Sequence, residues 1–350
     1  MNEASESEMG FDPSNILVID FGQLGDVVMS LPALRAIRDK FPRARITVAV
    51  GKPCADLIEL SRCADETLAV DRVALRDGFK PLSVLRLLQL VRDVRRRQFD
   101  FVIDLHSLSE TNLLGFLSGA PRRLYSRRPR SLDFLANFKP RPPLEADHRE
   151  RHLVDRYLDV LTPLELQNAP AVPRLATRAV DDQKIERLLK KAKADIGAPL
   201  VGLFPGAGHP SRCWPLERFA ELADFLIRNQ GACVLVFCGP EERPLLPAMR
   251  TLFPKATLIL DRLSIQELAA AQARLTVFVS NDTGPMHVAA AVGSPIVLLL
   301  DKRAPDSYLP RASQRRVIYS STIPEISVEE VYSATRELLA TARTETLFAS

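Results

Sequence analysis

The sequence predicts an α/β protein made of two doubly wound, Rossmann-like domains. Three observations carry that prediction. Short apolar runs recur through both halves of the chain, and they are continuous rather than alternating, as strands covered on both faces are. Glycine- or proline-marked turns and amphipathic stretches separate them, giving strand–helix alternation. The chain has 350 residues, more than the roughly 250–300 that one hydrophobic core organises, so two domains are expected.

The elements follow in order. Ile16–Ile19 reads as a first buried strand. A turn with Gly22 and Gly25 leads into an amphipathic helix that runs to about Lys40, where Phe41-Pro42 ends it. Ile46–Val50 is the next strand. Leu82–Arg97 reads as a helix with Leu85, Leu88 and Val91 on its apolar face, opposite a basic one, and Phe101–Leu105 as a further strand. From Pro121 to Pro143 the chain is basic and broken by prolines, with Asp133 as its one acid, and loops with short pieces are expected there. A helix near His148–Leu161 follows, then Pro163–Pro173, whose prolines disfavour helix and mark the interdomain connection.

The second half repeats the alternation. Strands are expected at Leu200–Phe204, Cys233–Phe237, Thr257–Ile259, Thr276–Ser280 and Pro295–Leu300. Helices fill the gaps near 181–194, 215–229, 241–252, 264–273 and 284–292, and a last one runs from about Val328 to Thr341. The predicted organisation is a tail over 1–14, domains over 15–168 and 169–325, and a helix over 326–350 that can pack back on the first domain.

Composition excludes several classes. With 46% hydrophobic and 26% charged residues the chain is neither fibrous nor mainly disordered. No apolar run approaches the ~18 residues a membrane helix needs, and the polar, acidic start lacks the layout of a signal peptide, which predicts a cytoplasmic chain. A net charge of +4 is too mild to argue for nucleic acid. Cys54, Cys63, Cys213, Cys233 and Cys238 form no CxxC pair, and their odd count fits reduced thiols rather than a zinc site.

Four segments carry candidate chemistry, each with a plain structural alternative. GQLGDVVMSLPAL (22–34) follows a strand and opens a helix; it has neither the three glycines of GxGxxG nor a Gly-Lys-Ser/Thr, so it is no ordinary dinucleotide or P-loop site. It places a carboxylate, Asp26, at a helix start, where Asp also serves as an N-cap. PGAGHPSRCWPLERF (205–219) frees a loop at Gly206, Ala207 and Gly208 to turn its amides toward an anion and supplies the permanent cation Arg212. Trp214 precedes Pro215, expected at a first helical position; the alternative is a structural loop with an exposed Arg and a core Trp. SNDTGPMHVAAAVGSPIVLL (280–299) ends a strand and opens a small-residue helix whose N-terminus favours an anion. There Asp282 or Thr283 can be a simple cap and His287 a core histidine. Gly239-Pro240-Glu241-Glu242 puts acids at the same sheet edge, suited to a sugar hydroxyl or to a solvated helix start.

The four segments, in this order, resemble glycosyltransferase family 9, the ADP-heptose:lipopolysaccharide heptosyltransferases. The likeness covers about residues 15–300, and NDTGPMH with the WP-containing segment is its most specific part. It implies the GT-B fold, two Rossmann-like domains facing a cleft. It implies an ADP-sugar donor on the C-terminal domain and a lipid-linked glycan acceptor on the N-terminal one, with inversion at the anomeric carbon and neither metal nor cofactor. On that resemblance Asp26 is the general base. Gly206, Ala207, Gly208, Arg212, Glu241, Glu242, Asp282, Thr283, Gly284 and His287 bind the nucleotide sugar, and Gly22, Gly25 and His106 lie on the acceptor side. The basic 121–141 stretch and the face near Arg92–Arg97 suit peripheral contact with the inner membrane surface.

The sequence departs from the family in three places. Asp20 stands where a basic residue is usual, Asp301-Lys302 replaces a glycine, and His106 occupies a position that is often Gln. A sugar-nucleotide epimerase of the same fold and a non-catalytic nucleotide-sugar-binding relative remain alternatives, while an NAD(P)-dependent oxidoreductase lacks its GxGxxG.

Overall fold

The fold is that of a computed structural model describing residues 11–71, 81–145, 147, 150–192, 197–312 and 314–349, with the backbone alone described at 81–84 and 343–349. The chain divides into two compact units, Met1–Ala171 and Val172–Ser350. The division falls inside the proline-marked connection, three residues past the expected boundary. His148 and residues 1–10 of the expected tail lie outside the described residues.

The first unit holds a parallel five-stranded sheet. Its strands are β1 (Asn15–Asp20), β2 (Arg45–Gly51), β3 (Glu66–Val70), β4 (Phe101–Asp104) and β5 (Arg122–Tyr125), in the spatial order β3-β2-β1-β4-β5. The helices are α1 (Leu24–Lys40), α2 (Ala55–Ser61), α3 (Pro81–Arg96), α4 (Ser109–Leu117) and α5 (Leu153–Val160). Neighbouring strands β1 and β4 run in register from Ile16↔Phe101 to Ile19↔Asp104, and all four core positions of β1 are fully buried.

Two expected helix faces need correction. α1 is not half-exposed: Val27 to Leu34, Ala36 and Ile37 are all buried, because α5 covers the side away from the sheet. In α3 the inward face is Leu90, Val91 and Val94, while Leu85 and Leu88 point to solvent. Both apolar stripes satisfy the helical period, and the sequence does not say which one meets the sheet. The basic 121–143 segment, expected as loops and short pieces, begins with β5. Phe138 then pins it, with ring centroids 5.2 Å from Phe101 and 5.4 Å from Phe11.

The second unit holds a parallel six-stranded sheet in the order β11-β10-β9-β6-β7-β8. Its strands are β6 (Leu200–Phe204), β7 (Cys233–Phe237), β8 (Leu258–Leu260), β9 (Val277–Asn281), β10 (Ile296–Asp301) and β11 (Arg315–Ser320). Its helices are α6 (Ala179–Lys191), α7 (Leu216–Gln230), α8 (Leu246–Leu252), α9 (Ile265–Gln272), α10 (Gly284–Ala291) and α11 (Val328–Ala349). α7 stops at Gly231, whose φ of +60° is the left-handed conformation glycine tolerates best. Pro215 is the N-cap of α7, one place earlier than expected. Val328, Val331, Leu338 and Leu339 of α11 are buried in the second unit's own core with Trp214 and Phe219. Elements absent from the sequence reading are short or polar: α2, α4, β3, β5 and the edge strand β11.

Among the described residues no helix is long and apolar enough to cross a membrane. The five cysteines form no disulfide.

Candidate active site

Each sheet has one point where strand order reverses, and ligands of doubly wound sheets bind beyond the strand ends there. In the first unit that point lies between β1 and β4. The carboxyl end of β1 delivers Asp20 and then Gly22, and α1 begins at once. A Cβ on Gly22 would fall 2.6 Å from the Asp26 Cβ and 3.0 Å from Asp20 Oδ1, so only glycine lets these two acids approach.

Asp26 is not the N-cap. Gln23 holds that position, and Asp26 sits three residues on, its Oδ2 accepting the Gln23 amide at 3.1 Å. Gly25 lies in the same first turn. Burial raises the Asp26 carboxyl above its ordinary value; the Gln23 amide opposes this, the Asp20 charge adds to it, and His106 and Arg156 oppose it. Arg156 reaches this neighbourhood from α5, where it is ion-paired with Glu145. A partly buried carboxyl whose pKa lies above the ordinary carboxylate range is chemically suited to accept a proton.

The carboxyl end of β4 supplies the other half. Asp104 is fully buried, and its Oδ1 accepts the amides of His106 at 3.1 Å and Ser107 at 2.7 Å, while Oδ2 accepts Asn112 Nδ2 at 2.7 Å. These bonds hold Ser107 at φ +46° and turn His106 back toward β1. Burial pushes the Asp104 carboxyl up to about 6, against the pull of the Ser107 amide and the other donors.

His106 Nδ1 comes within 3.5 Å of Asp20 Oδ1. Burial would raise Asp20, but the hydrogen bond and charge of His106, the Ser30 hydroxyl and the Gly22 amide leave it below its usual value. Burial likewise depresses His106, and Asp20, Asp104 and Asp26 together lift it above the normal imidazole range. Asp20 and His106 thus face each other at this reversal point.

The second reversal point lies between β6 and β9. β6 ends at Phe204 and the loop 205–208 follows; β9 ends at Asn281, with Asp282 and Thr283 next. Asn281 binds the two ends together. Its Nδ2 donates to the carbonyls of Pro205 at 3.0 Å and Gly206 at 3.2 Å, and its Oδ1 accepts the Trp214 amide at 3.0 Å. Trp214 is 1% exposed and its Nε1 donates to the Ile326 carbonyl at 2.9 Å, so it anchors the loop from inside the core.

Arg212 closes the single-turn helix Pro210–Arg212 and remains 60% exposed at its side chain. Its Nη1 lies 3.6 Å from Asp282 Oδ2. Burial raises the Asp282 carboxyl and Arg212 partly counters this. Thr283 is the N-cap of α10, and its side chain makes no cap hydrogen bond. His287, one turn on, is 5% exposed and lies within the unit rather than at its surface. Asp301, at the end of β10, is held down to about 2 chiefly by the Arg303 guanidinium.

Glu242 is buried rather than at a solvated helix start. Its Oε2 accepts the Gly239 amide at 3.0 Å, and a Cβ on Gly206 would fall 2.1 Å from Oε1. It brackets the 205–208 loop against the 239–242 turn. Glu241 is the exposed member of the pair. Among the described residues no three His, Cys, Asp or Glu side chains are placed to hold a metal ion.

The sequence model of glycosyltransferase family 9 (heptosyltransferase) matches residues 87–335, more than half of the chain. The chain belongs to this family. It is 26% identical over 316 residues to lipooligosaccharide heptosyltransferase 2 of Haemophilus influenzae, covering 87% of this chain and 88% of that protein. Its fold matches a family 9 glycosyltransferase of Veillonella parvula with a TM-score of 0.83 at 24% identity, covering 95% of this chain and 99% of the other. It also matches E. coli heptosyltransferase WaaC with ADP-2-deoxy-2-fluoro heptose, at a TM-score of 0.72 and 18% identity, covering 92% and 99%. The expected two-domain GT-B fold is therefore present in this glycosyltransferase, and the epimerase alternative is not favoured.

Three residues important to the geometry escaped the sequence reading. Asn281 opens NDTGPMH without a role of its own there, Asp104 is part of FVIDL, and Arg156 lies on a helix without a motif. A polar residue closing an otherwise apolar strand is a signal for the first two. Nothing local marks Arg156.

Proposed function

We propose that this glycosyltransferase moves a heptose from ADP-heptose to a lipopolysaccharide core acceptor, with inversion and without a metal ion. One observation carries the reading: the candidate segments lie at the strand-order reversal of each sheet, a carboxylate in one unit and a cationic, glycine-lined loop in the other. The relatives' names supply the sugar and the acceptor class.

In this reading the first unit takes the acceptor. Asp26 removes the proton of the acceptor hydroxyl as its oxygen attacks the anomeric carbon. The bond from that carbon to the diphosphate oxygen breaks, and ADP leaves with the electron pair. The second unit takes the donor. Arg212 and the amides of the 206–208 loop and of Thr283-Gly284 meet the growing diphosphate charge, stabilisation that is most effective when fixed beforehand. Asn281 and Glu242 hold that loop in shape. The enzyme works in the cytoplasm against the inner membrane, where such an acceptor is found.

Calorimetry with ADP, with and without EDTA, tests the donor half. ADP binding that survives the chelator is expected, and binding abolished by it would overturn metal independence. Mass spectrometry of the lipopolysaccharide core from a strain lacking the protein tests the acceptor half. A truncated core missing a heptose is expected, and an intact core would refute the assignment.

A further inference from the structure

In the second unit β10 outruns its neighbour β9. Leu299 pairs with Asn281, the last residue of β9, and β10 then continues for two residues to Asp301, or about 7 Å. β11 keeps this extension in line: Asp301 lies opposite Ser320, and the Lys302 amide donates to the Ser320 carbonyl at 2.8 Å. Side chains two apart on a strand share a face. Val297 and Leu299 pack on the face that holds Trp214, so Asp301 stands at the end of that face. The segment from Arg212 to Trp214 lies over it too, since the Trp214 amide donates to Asn281, which is in register with Leu299. Asp301 is near enough to Arg212 for the guanidinium charge to help hold its carboxyl low.

Asp301 grips a second arginine. Its Oδ1 accepts the Arg303 amide at 2.8 Å and Nε at 2.9 Å, and its Oδ2 accepts Nη2 at 2.5 Å. The Arg303 side chain is nevertheless 80% exposed. Two guanidiniums thus stand at these strand ends, Arg212 at 3.6 Å from Asp282 and Arg303 on Asp301. Ion pairs this exposed are weak, and a stronger anion can take over the cation. The row of loops is also asymmetric in charge. Sheet order sets the turns after β7, β6, β9 and β10 side by side. The turn after β7 carries Glu241 and Glu242, and the one after β10 carries Lys302 and Arg303. The phosphates of a nucleoside diphosphate hold more charge than one guanidinium balances. A nucleotide sugar laid along this row has its ribose hydroxyls over the acids and its sugar-side phosphate toward the second arginine.

We propose that Arg303 exchanges Asp301 for the sugar-side phosphate of the nucleotide sugar and neutralises that phosphate together with Arg212. The inference rests on the proposed ADP-sugar donor and adds a residue to its site. The planar guanidinium fork matches phosphate oxygens as it matches a carboxylate. Asp301 holds the fork at the strand end until the phosphate arrives.

Calorimetry of the full-length protein with ADP, AMP and inorganic diphosphate is the test. Arg303→Ala should raise the Kd for ADP and for inorganic diphosphate about tenfold, and that for AMP, which lacks the sugar-side phosphate, by less than about twofold. Arg303→Lys should recover part of the loss. Lys302→Ala removes a neighbouring charge with no proposed contact, so all three affinities should stay within about twofold. Arg303→Ala should melt with the wild type, because its ion pair is exposed. Unchanged ADP and diphosphate affinity in Arg303→Ala would overturn the inference. So would an equal loss in Lys302→Ala, which is a general charge effect, or an equal loss for AMP. Arg212→Ala separates this result from the donor reading. Weaker ADP binding in Arg212→Ala but not in Arg303→Ala defeats the inference alone. Diphosphate bound through Arg303 by a protein that does not take ADP defeats the donor reading and leaves the phosphate contact standing.

Discussion

Replacing Asp26 by Asn separates its two roles. In the first turn of α1 the carboxylate accepts one bond, from the Gln23 amide at 3.1 Å, and the Asn amide oxygen accepts the same bond. The lost charge at a helix N-terminus costs about 0.3–1 kcal/mol. Against that, a half-buried charge beside Asp20 disappears, which relieves the burial and like-charge effects that raise its pKa. The net change in stability should stay within about 1 kcal/mol, or about 2–4 °C in Tm for a unit of this size. The chemical role does not survive, because the amide cannot take the hydroxyl proton. kcat should fall by about 10²–10⁴, while ADP affinity stays constant. The pH dependence supplies a second signature. The base works ionised, and its pKa lies above the ordinary carboxylate value. Wild-type kcat should therefore fall with decreasing pH before a normal Asp, near about 3.9, would titrate, and the variant should lack that limb. ADP release at saturating donor and acceptor gives kcat, and thermal melting gives Tm. A well-folded Asp26→Asn enzyme with near-wild-type kcat would refute the base assignment.

Arg212→Ala should weaken ADP binding by about 1.5–3 kcal/mol, as loss of a charged hydrogen bond does, and Arg212→Lys should recover part of it; calorimetry reads both. Gly206→Ala should cost about 1–3 kcal/mol by overpacking, since its Cβ would strike Glu242, whereas Gly208→Ala, with nothing within 4 Å, should be close to neutral; melting of the two variants decides this. His106→Gln should destabilise the protein by about 1–3 kcal/mol, because it leaves the buried Asp20 carboxylate without its imidazole partner, and adding Asp20→Asn should restore much of the loss. The sign with pH follows from the two shifts. The contribution of Asp20, whose pKa is lowered, is lost as pH falls through its folded value, and that of His106, whose pKa is raised, is lost as pH rises through its own. The gap between wild type and His106→Gln should be widest between about pH 4 and 6.5 and narrow on both sides, measured as Tm across pH.

The motif loops were legible because each needs a residue type that is costly elsewhere. Gly22 and Gly206 stand where a Cβ would strike Asp26 or Glu242, and the buried strands beside them are uninterrupted apolar runs. What stayed hidden depends on groups distant in the chain. Asp20 alone is a reversed charge; opposite His106, 86 positions later, it is one half of a close carboxylate–imidazole pair. The N-cap alternative for Asp26 stays open in the sequence because helix starts shift by a few residues without changing the apolar pattern.

The sequence by itself determined the alternation, the two-unit architecture, the family and the candidate loops beyond the strands, since local period, turn residues and motif spacing suffice for these. Only the tertiary structure decided which face of each element is inside. α1 is buried nearly all round because α5 covers it, and α3 turns Leu90, Val91 and Val94 inward while Leu85 and Leu88 stay in solvent. It also decided that Glu242 accepts the Gly239 amide, and that Asn281 and Asp104 shape the loops beyond their strands. The physical reason is the same throughout. Burial, hydrogen-bond partners and pKa belong to the surroundings of a side chain, and those surroundings are assembled from residues far apart in the sequence.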